Sequence, residues 1–148
     1  MLSTGNKKVD SVIVLPIEDG RVLLPRSRTG GAWYYHLLVS TRKSDETVEQ
    51  TAHRVTASRT GLVFNLESEL SRSVSSNEPM DPLNMLSEKL DVTHVIFTGT
   101  VSHSEESEDK SDCYEWFELE QAIEQITPIA QRLISYAKAV EALRQYPR

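Results

Sequence analysis

The sequence predicts a mixed α/β domain in which strands come first, a helix lies in the middle, and further strands precede a last helix. Three patterns lead to this fold class: a strand–turn–strand signal near the N-terminus, a central helix that stops at a glycine, and a late aromatic strand that runs into helical sequence. Elements in this order are typical of a sheet flanked by helices.

The N-terminal hairpin gives the first pattern. Residues 9–17 form an apolar run with little alternation, which is typical of a strand buried on both faces. The pair Asp19-Gly20 follows, and this dipeptide favours a tight turn between two strands. We therefore expect a second strand over residues 21–27 and a third strand, rich in aromatic side chains, over residues 32–39.

The central helix is predicted over residues 47–60. Val48, Ala52 and Val55 recur at the i, i+4 and i+7 spacing that places side chains on one helix face. Gly61 follows directly, where a helix often ends in a left-handed residue, a conformation that glycine adopts at little cost.

The rest of the chain supplies further strands and the last helix. We expect strands over residues 62–66 and 93–102, separated by a polar stretch that holds a short helix near residues 83–89. A strand around Trp116 then leads into another short helix. Pro128 suits the first turn of a final helix, because its missing N–H costs nothing at that position.

Composition limits the class of protein. The chain has 148 residues, a net charge of −6 and a single cysteine, Cys113. The length suits one domain, which we place at residues 9–148 after a flexible polar tail at residues 1–8. The acidic balance argues against general nucleic-acid binding. Because the chain has no signal-peptide pattern and no apolar run near the roughly 20 residues of a membrane helix, we expect a cytoplasmic protein without a membrane partner.

The segment from Ser40 to Leu62 resembles the Nudix box, G-x5-E-x7-R-E-U-x-E-E-x-G-U, where U is a bulky aliphatic residue. The box glycine falls on Ser40. Four of the nine fixed positions match, and these are Glu46, Arg54, Gly61 and Leu62. The resemblance implies an α/β/α sandwich with a mixed sheet, in which the box helix and a C-terminal helix flank the sheet.

Three of the mismatches fall on the family's metal site. Glutamates at these positions hold a divalent cation in the family, whereas this chain has Val55, Ser58 and Arg59. A hard cation such as Mg²⁺ requires anionic oxygen ligands, and none of these side chains offers one. In the family, the residues corresponding to Glu46 and Arg54 chiefly brace the loop against the helix. The resemblance therefore implies a retained scaffold without standard metal-dependent pyrophosphohydrolase activity, and Mg²⁺ or Mn²⁺ is expected only if the protein is active.

A small phosphorylated or nucleotide-like ligand is the partner that the resemblance suggests, and RNA is a further ligand class for the same cleft. A guanidinium binds phosphate bidentately, and aromatic side chains stack on bases. The candidate ligand-binding residues are Arg26, Trp33, Tyr35, Arg42, Arg54, Ser58 and Arg59. A structural interpretation stands beside each role, since an ion pair, a cation at a helix C-terminus and a core aromatic need no ligand.

Charge is distributed unevenly along the chain. Residues 20–60 carry seven basic side chains and three acidic ones, whereas residues 103–124 carry nine acidic side chains and one lysine. The basic part contains the segments that form the family's cleft. This distribution favours an anionic ligand at that face.

Two other functions remain open. The acidic region and the polar stretch over residues 67–92 suit a protein-interaction module or a dimeric scaffold. An unconventional Nudix hydrolase of nucleoside diphosphate derivatives would instead need Glu46 as a catalytic residue and Glu49 as a further metal ligand. The remaining ligands would come from the acidic loop, which contains Glu105, Glu106, Glu108 and Asp109.

Overall fold

The computed structural model describes residues 5–81, 83–84, 86–105 and 110–148. The described strands are β1 (Lys7–Glu18), β2 (Arg21–Thr29), β3 (Ala32–Tyr35), β4 (Leu38–Thr41), β5 (Val63–Pro79), β6 (Lys89–Ser102) and β7 (Tyr114–Glu118). The described helices are α1 (Val48–Thr60), α2 (Leu119–Ala130) and α3 (Ile134–Gln145), with a 3₁₀ turn at Ser111–Cys113.

Strand β1 lies at the centre of the sheet. It runs parallel to β6 and antiparallel to β2 and β4. Strand β2 also pairs with β3 and β7, and β6 pairs with β5, so that the longest path through the sheet is β3-β2-β1-β6-β5. The sheet is therefore mixed, and its only parallel ladder among the described strands joins two strands that are far apart in sequence.

The apolar run in β1 is buried on both faces, as predicted. Val12 and Val14 pack with Ala52 in the core beneath α1. Ile13 and Leu15 pack on the opposite face, in the core that α2 and α3 cover. The sheet thus lies between two helical layers, and the predicted α/β/α sandwich is confirmed.

The aromatic segment after β2 forms two strands instead of the single strand that the sequence predicts. β3 pairs with β2, whereas β4 pairs with β1 on the other side of a break at His36 and Leu37. The N–H of Leu37 donates to the phenolic oxygen of Tyr136 in α3 at 3.1 Å. The break therefore has a physical cause, because the chain changes pairing partners there and one of its backbone donors is bound by a distant helix.

The polar stretch after α1 forms a long hairpin. β5 extends to Pro79 and pairs antiparallel with β6, which begins at Lys89. The short helix predicted near residues 83–89 is wrong for the described part of this segment, where the N–H of Met80 donates to the carbonyl of Glu88 and closes the hairpin. Pairing with the apolar β6 overrides the weak strand preference of the serine-rich β5.

The last two helices meet at a different position from the one that the sequence predicts. The prediction that Pro128 begins the final helix is wrong, because Pro128 lies in the last turn of α2 and α3 begins at Ile134. The N–H groups of Arg132 and Leu133 both donate to the carbonyl of Ile129 and form the turn between the helices. None of the described helices is long and apolar enough to cross a membrane.

The predicted N-terminal tail is described only in part. Residues 1–4 lie outside the described residues. Lys7 and Lys8 belong to β1, where they pair with Leu90 and Asp91 of β6. The first strand thus begins two residues before the predicted boundary, while the assignment of the chain to one domain stays a prediction.

Gly99 in β6 is required by a close backbone approach. A Cβ atom at this position would lie 2.0 Å from the carbonyl oxygen of Asn65 in β5. We expect Gly99→Ala to lower the free energy of unfolding by about 3 kcal/mol or more, because the clash involves backbone that cannot rotate away. Urea denaturation followed by circular dichroism measures this loss.

Gly31→Ala provides the control for this prediction. Gly31 has a φ of +86° but open space around it, so only conformational strain of about 1 kcal/mol is expected. Equal losses for the two variants would contradict the role of close approach at Gly99.

Candidate functional site

Nearby residues account for both ends of the box helix α1. The hydroxyl of Thr47 accepts from the N–H of Gln50 at 3.1 Å, and the Gln50 side chain accepts from the N–H of Thr47 at 2.8 Å. This reciprocal pair is a capping box, which satisfies two donors at the helix start. Gly61 adopts a left-handed φ of 75° and donates its N–H to Ala57 at 2.9 Å, so the predicted glycine stop is confirmed.

Glu46 and Arg54 form an ion pair that joins the loop before α1 to the helix. The Arg54 Nη2 atom lies 2.6 Å from Glu46 Oε1, and Nε lies 3.1 Å from Oε2. Nη2 also donates to the carbonyl of Thr41 at 3.1 Å, and Nη1 donates to the hydroxyl of Ser40 at 3.3 Å. The guanidinium therefore ties α1 to the loop and to the end of β4.

The surroundings of Glu46 lower its pKa from 4.5 to about 2. The hydrogen bonds from Arg54 are the largest cause, followed by the backbone N–H of Lys43. The hydroxyl of Thr51 also donates to this carboxylate, at 2.8 Å. Each donor favours the charged form, so Glu46 is ionised and fully engaged with the protein at neutral pH.

Arg42 supports the same loop from the other side. Its Nε atom lies 2.8 Å from Asp10 Oδ2 in β1. Its Nη1 atom donates to the carbonyls of Lys43 and Glu46 at 3.0 and 2.9 Å. Arg42 and Arg54 thus direct most of their donors into the protein, and their predicted role in ligand binding stays a prediction.

The three positions where the family places metal-binding glutamates have different environments in this chain. Val55 is only 5% exposed and packs in the core beneath α1. Ser58 and Arg59 are exposed at the C-terminal end of the helix. An apolar core residue, a neutral hydroxyl and a guanidinium do not fit Mg²⁺ or Mn²⁺, both of which require anionic oxygen ligands.

The acidic residues proposed as substitute ligands do not form such a site in the described residues. Glu46 is bound to Arg54, and Glu49 lies exposed in the first turn of α1. Glu106, Glu108 and Asp109 lie outside the described residues, while Glu105 is described. Within residues 5–81, 83–84, 86–105 and 110–148, no group of three or more His, Cys, Asp or Glu side chains is placed to hold a metal ion.

Lys110 covers the C-terminal end of α1, and sequence reasoning missed this contact. Its N–H donates to the carbonyl of Thr60 at 3.0 Å, and its ammonium donates to the carbonyl of Ser58 at 3.2 Å. The sequence offered one signal for it, since Lys110 is the only lysine or arginine in the acidic stretch of residues 103–124. The lysine brings a second positive charge to the end of the helix that carries Arg59.

Arg59 makes no side-chain hydrogen bond or ion pair with a described residue, yet its charge acts on two neighbours. Burial lowers the pKa of His36, and the charge of Arg59 lowers it further. Burial raises the pKa of Tyr136, while the hydrogen bond from Leu37 and the charge of Arg59 oppose that change. Both neighbours lie at the break between β3 and β4, His36 within it and Tyr136 bound to Leu37. We call Ser58, Arg59, Lys110 and His36 together the Arg59 site.

The aromatic candidates separate into one exposed ring and one packed ring. Trp33 is 38% exposed, and the guanidinium carbon of Arg26 lies 4.0 Å from its ring centroid. Tyr35 instead packs edge-on against Phe117 at 4.9 Å and donates to Glu115 at 3.4 Å. Trp33 is thus partly exposed beside a guanidinium, whereas Tyr35 belongs to the partly buried core.

Arg26 connects the aromatic strand to the segment that covers α1. Its Nη1 atom lies 3.1 Å from Glu115 Oε1, and its Nε atom donates to the carbonyl of Asp112 at 3.1 Å. Asp112 follows Lys110 by two residues. The contacts therefore run from Trp33 through Arg26 to the carbonyl of Asp112.

A surface cavity of about 470 Å³ adjoins Trp33. It lies between the β2–β3 hairpin and the end of α2, and its walls include Ser27, His36 and Gln125. Ser27 Oγ and His36 Nε2 are 2.7 Å apart and form a hydrogen bond. His36 therefore lines the cavity and also lies within reach of the charge of Arg59.

Three solved structures share this architecture. A NUDIX hydrolase from Nitrosomonas europaea has a TM-score of 0.61 and 17% identity, over 90% of each chain. A MutT NUDIX hydrolase from Burkholderia pseudomallei has a TM-score of 0.51 and 19% identity, over 78% of this chain and 86% of that one. The E. coli ORF135 protein has a TM-score of 0.50 and 15% identity, over 96% of each chain. No family model and no curated protein matches the sequence. The likeness shows that this chain has the Nudix fold, as the box segment predicts.

The low pKa of Glu46 predicts how stability depends on pH. A carboxylate with a depressed folded-state pKa stabilises the protein above its unfolded-state pKa, and this contribution is lost as the pH falls from about 4.5 to about 2. We expect Arg54→Met to return the pKa of Glu46 toward 4.5 and to remove this part of the acid sensitivity. Carbon-13 NMR of the side-chain carboxyl and urea unfolding across this pH range measure both effects.

Arg72→Met is the matched control, since it removes a comparable arginine–glutamate pair with Glu69 on β5. It should leave the titration of Glu46 unchanged. An unshifted Glu46 pKa in Arg54→Met would show that this arginine is not the main cause of the depression.

Proposed function

We propose that this Nudix-fold protein binds a phosphorylated, nucleotide-like ligand at the Arg59 site and lacks standard metal-dependent hydrolysis. The observation that carries the proposal is the exposed guanidinium of Arg59, which has no side-chain partner among the described residues and occupies a position where the family has a metal-binding glutamate. A carboxylate there would repel a phosphate unless a cation intervened, whereas a guanidinium attracts it directly.

Lys110 strengthens the attraction for phosphate. An ammonium has three N–H donors, and Lys110 uses one of them in the hydrogen bond to the carbonyl of Ser58. No acceptor within the described part of the chain engages the remaining donors of Lys110 or those of Arg59. Two cations at one helix end suit a diphosphate better than a single monoanionic group, because each can engage a different phosphoryl oxygen.

His36 contributes hydrogen bonding instead of charge. Its pKa is lowered by burial and by Arg59, so the ring is neutral at neutral pH. A neutral imidazole beside two cations does not compete for the anionic group. It is instead suited to the polar edge of a base or sugar.

Trp33 provides the platform for a flat group. Arg26 lies over its ring at 4.0 Å, and Arg28 lies at 5.4 Å. Stacking of a base on an aromatic ring contributes about 1–3 kcal/mol and tolerates different bases. The cavity of about 470 Å³ beside Trp33 falls within the usual range for small-molecule sites. A nucleotide therefore suits this surface, since its phosphates match the cations Arg59 and Lys110 and its base matches the ring of Trp33. The end of a single-stranded RNA presents the same phosphate and base groups.

Arg59→Met tests the proposal. We expect the variant to bind ADP at least tenfold more weakly than the wild type, because a charge-assisted hydrogen bond contributes about 1.5–3 kcal/mol. Isothermal titration calorimetry without added metal measures the affinity, and a short oligonucleotide tests the RNA alternative.

Arg21→Met is the control variant, since Arg21 is an exposed arginine that pairs with Glu118 away from α1. It should bind ADP like the wild type. The proposal is overturned if Arg59→Met also retains full affinity, or if a broad panel of nucleotides and nucleoside diphosphate derivatives fails to bind.

An unconventional hydrolase is the second candidate. Two structures that share the fold are named as hydrolases, and Glu46 and Arg54 keep the geometry of a loop brace. This candidate requires Mg²⁺ or Mn²⁺, for which the described side chains offer no adequate set of anionic oxygens. The protein's own residues then supply binding and orientation, but no group positioned to activate water on a bound metal.

A phosphatase-coupled phosphate-release assay separates the two candidates, because hydrolysis of the diphosphate linkage yields two phosphomonoesters from which the added phosphatase releases phosphate. We expect wild-type protein with Mg²⁺ or Mn²⁺ to release no more phosphate from nucleoside diphosphate derivatives than the Glu46→Gln variant. Turnover that is present in the wild type and lost in Glu46→Gln would instead establish the hydrolase.

A further inference from the structure

A second cleft lies on the opposite side of the sheet from α1. It has a volume of about 260 Å³ and is formed by β5 and the C-terminal half of α3. Ser71 and Ser73 line it from the strand, and Lys138, Glu141 and Gln145 line it from the helix. Leu70, Ala142, Tyr146 and Pro147 complete its lining, so polar and apolar side chains share the walls.

The two charged side chains in this cleft do not neutralise each other. Lys138 and Glu141 are three residues apart on α3, a spacing at which opposite charges commonly pair. Neither forms an ion pair or a side-chain hydrogen bond with any residue that the structure describes, and Lys138 is only partly exposed. Both charges are therefore available to a bound molecule.

The strand side of the cleft carries an unmet hydrogen-bonding group. The hydroxyl of Ser73 is buried and has no hydrogen-bond partner among the described residues, and the same holds for the Nδ1 atom of His94, its neighbour across the β5–β6 ladder. Buried polar atoms in native proteins are generally satisfied by protein or by ordered molecules. Ser73 lines the cleft, and its hydroxyl can move between staggered rotamers.

We propose that this cleft binds a small zwitterion of the amino-acid class, with the ligand carboxylate at Lys138 and Ser73 and its ammonium at Glu141. A simple anion would be repelled by Glu141, and a simple cation would be repelled by Lys138. The volume lies just below the usual range of about 300–1,000 Å³ for drug-sized ligands, so the ligand is small. The site is independent of the Arg59 site.

The test uses proton–nitrogen NMR of the full chain titrated with individual amino acids. Acetate and ethylamine serve as probes that carry one charge only. We expect at least one amino acid to give saturable shifts at Ser71, Ser73 and α3, with both single-charge probes at least tenfold weaker. Absence of saturable shifts across the amino acids, or shifts confined to other surfaces, overturns the proposal.

Variants then assign the contacts. Lys138→Met should weaken amino-acid binding at least tenfold, whereas Arg144→Met, an exposed cation on the same helix, should leave it unchanged. Ser73→Ala removes a buried group without a partner, so the fold is retained while binding weakens. Wild-type affinity in both Lys138→Met and Ser73→Ala overturns the proposal. Arg59→Met should retain amino-acid binding, which separates this test from the test of nucleotide binding.

Discussion

The ion pair between Glu46 and Arg54 determines where the box helix lies. Glu46 immediately precedes the N-cap of α1, and Arg54 reaches back from the second turn to Glu46 and to the end of β4. An exposed ion pair contributes about 0–1 kcal/mol, but this pair is bidentate, largely shielded and supported by further donors. Because it fixes both the start and the rotation of α1, it also fixes which residues of the next turn reach the surface.

The last turn of α1 differs in charge from the equivalent turn of the family. A helix of this orientation buries Val55 and exposes Ser58 and Arg59. In the family the equivalent turn presents carboxylates, which attract a cation and bind phosphate only through it. A guanidinium on the same scaffold reverses the sign of the field at that surface. Lys110 reinforces the reversal and also compensates the exposed carbonyls at the negative end of the helix dipole.

Local sequence signals predicted the local structure well. The Asp-Gly turn, the stop at Gly61 and the double-sided burial of β1 each depend on neighbours within a few residues. Strand breaks and strand ends that depend on residues far away in the sequence were not predictable from local signals. The break at His36 and Leu37 depends on Tyr136 from α3, and the length of β5 depends on its pairing with β6. Pro128 by itself favours the first turn of a helix, and its place in the last turn of α2 runs against that preference.

The candidate site also depends on contacts that the sequence does not show. Residue type identified the arginines, but it did not show which guanidinium groups bind other parts of the protein. Arg42 and Arg54 turn their guanidinium groups toward carboxylates and backbone carbonyls, which satisfies them without a ligand. Arg59 keeps its donors free of described partners, and Lys110 keeps part of its own. A polar ligand gains most from groups that are unsatisfied before it arrives, because engaged donors must first break an internal bond. The proposed function therefore depends mainly on Arg59, Lys110 and the exposed part of Trp33, and the sequence alone pointed to Arg59 and Trp33 but not to Lys110.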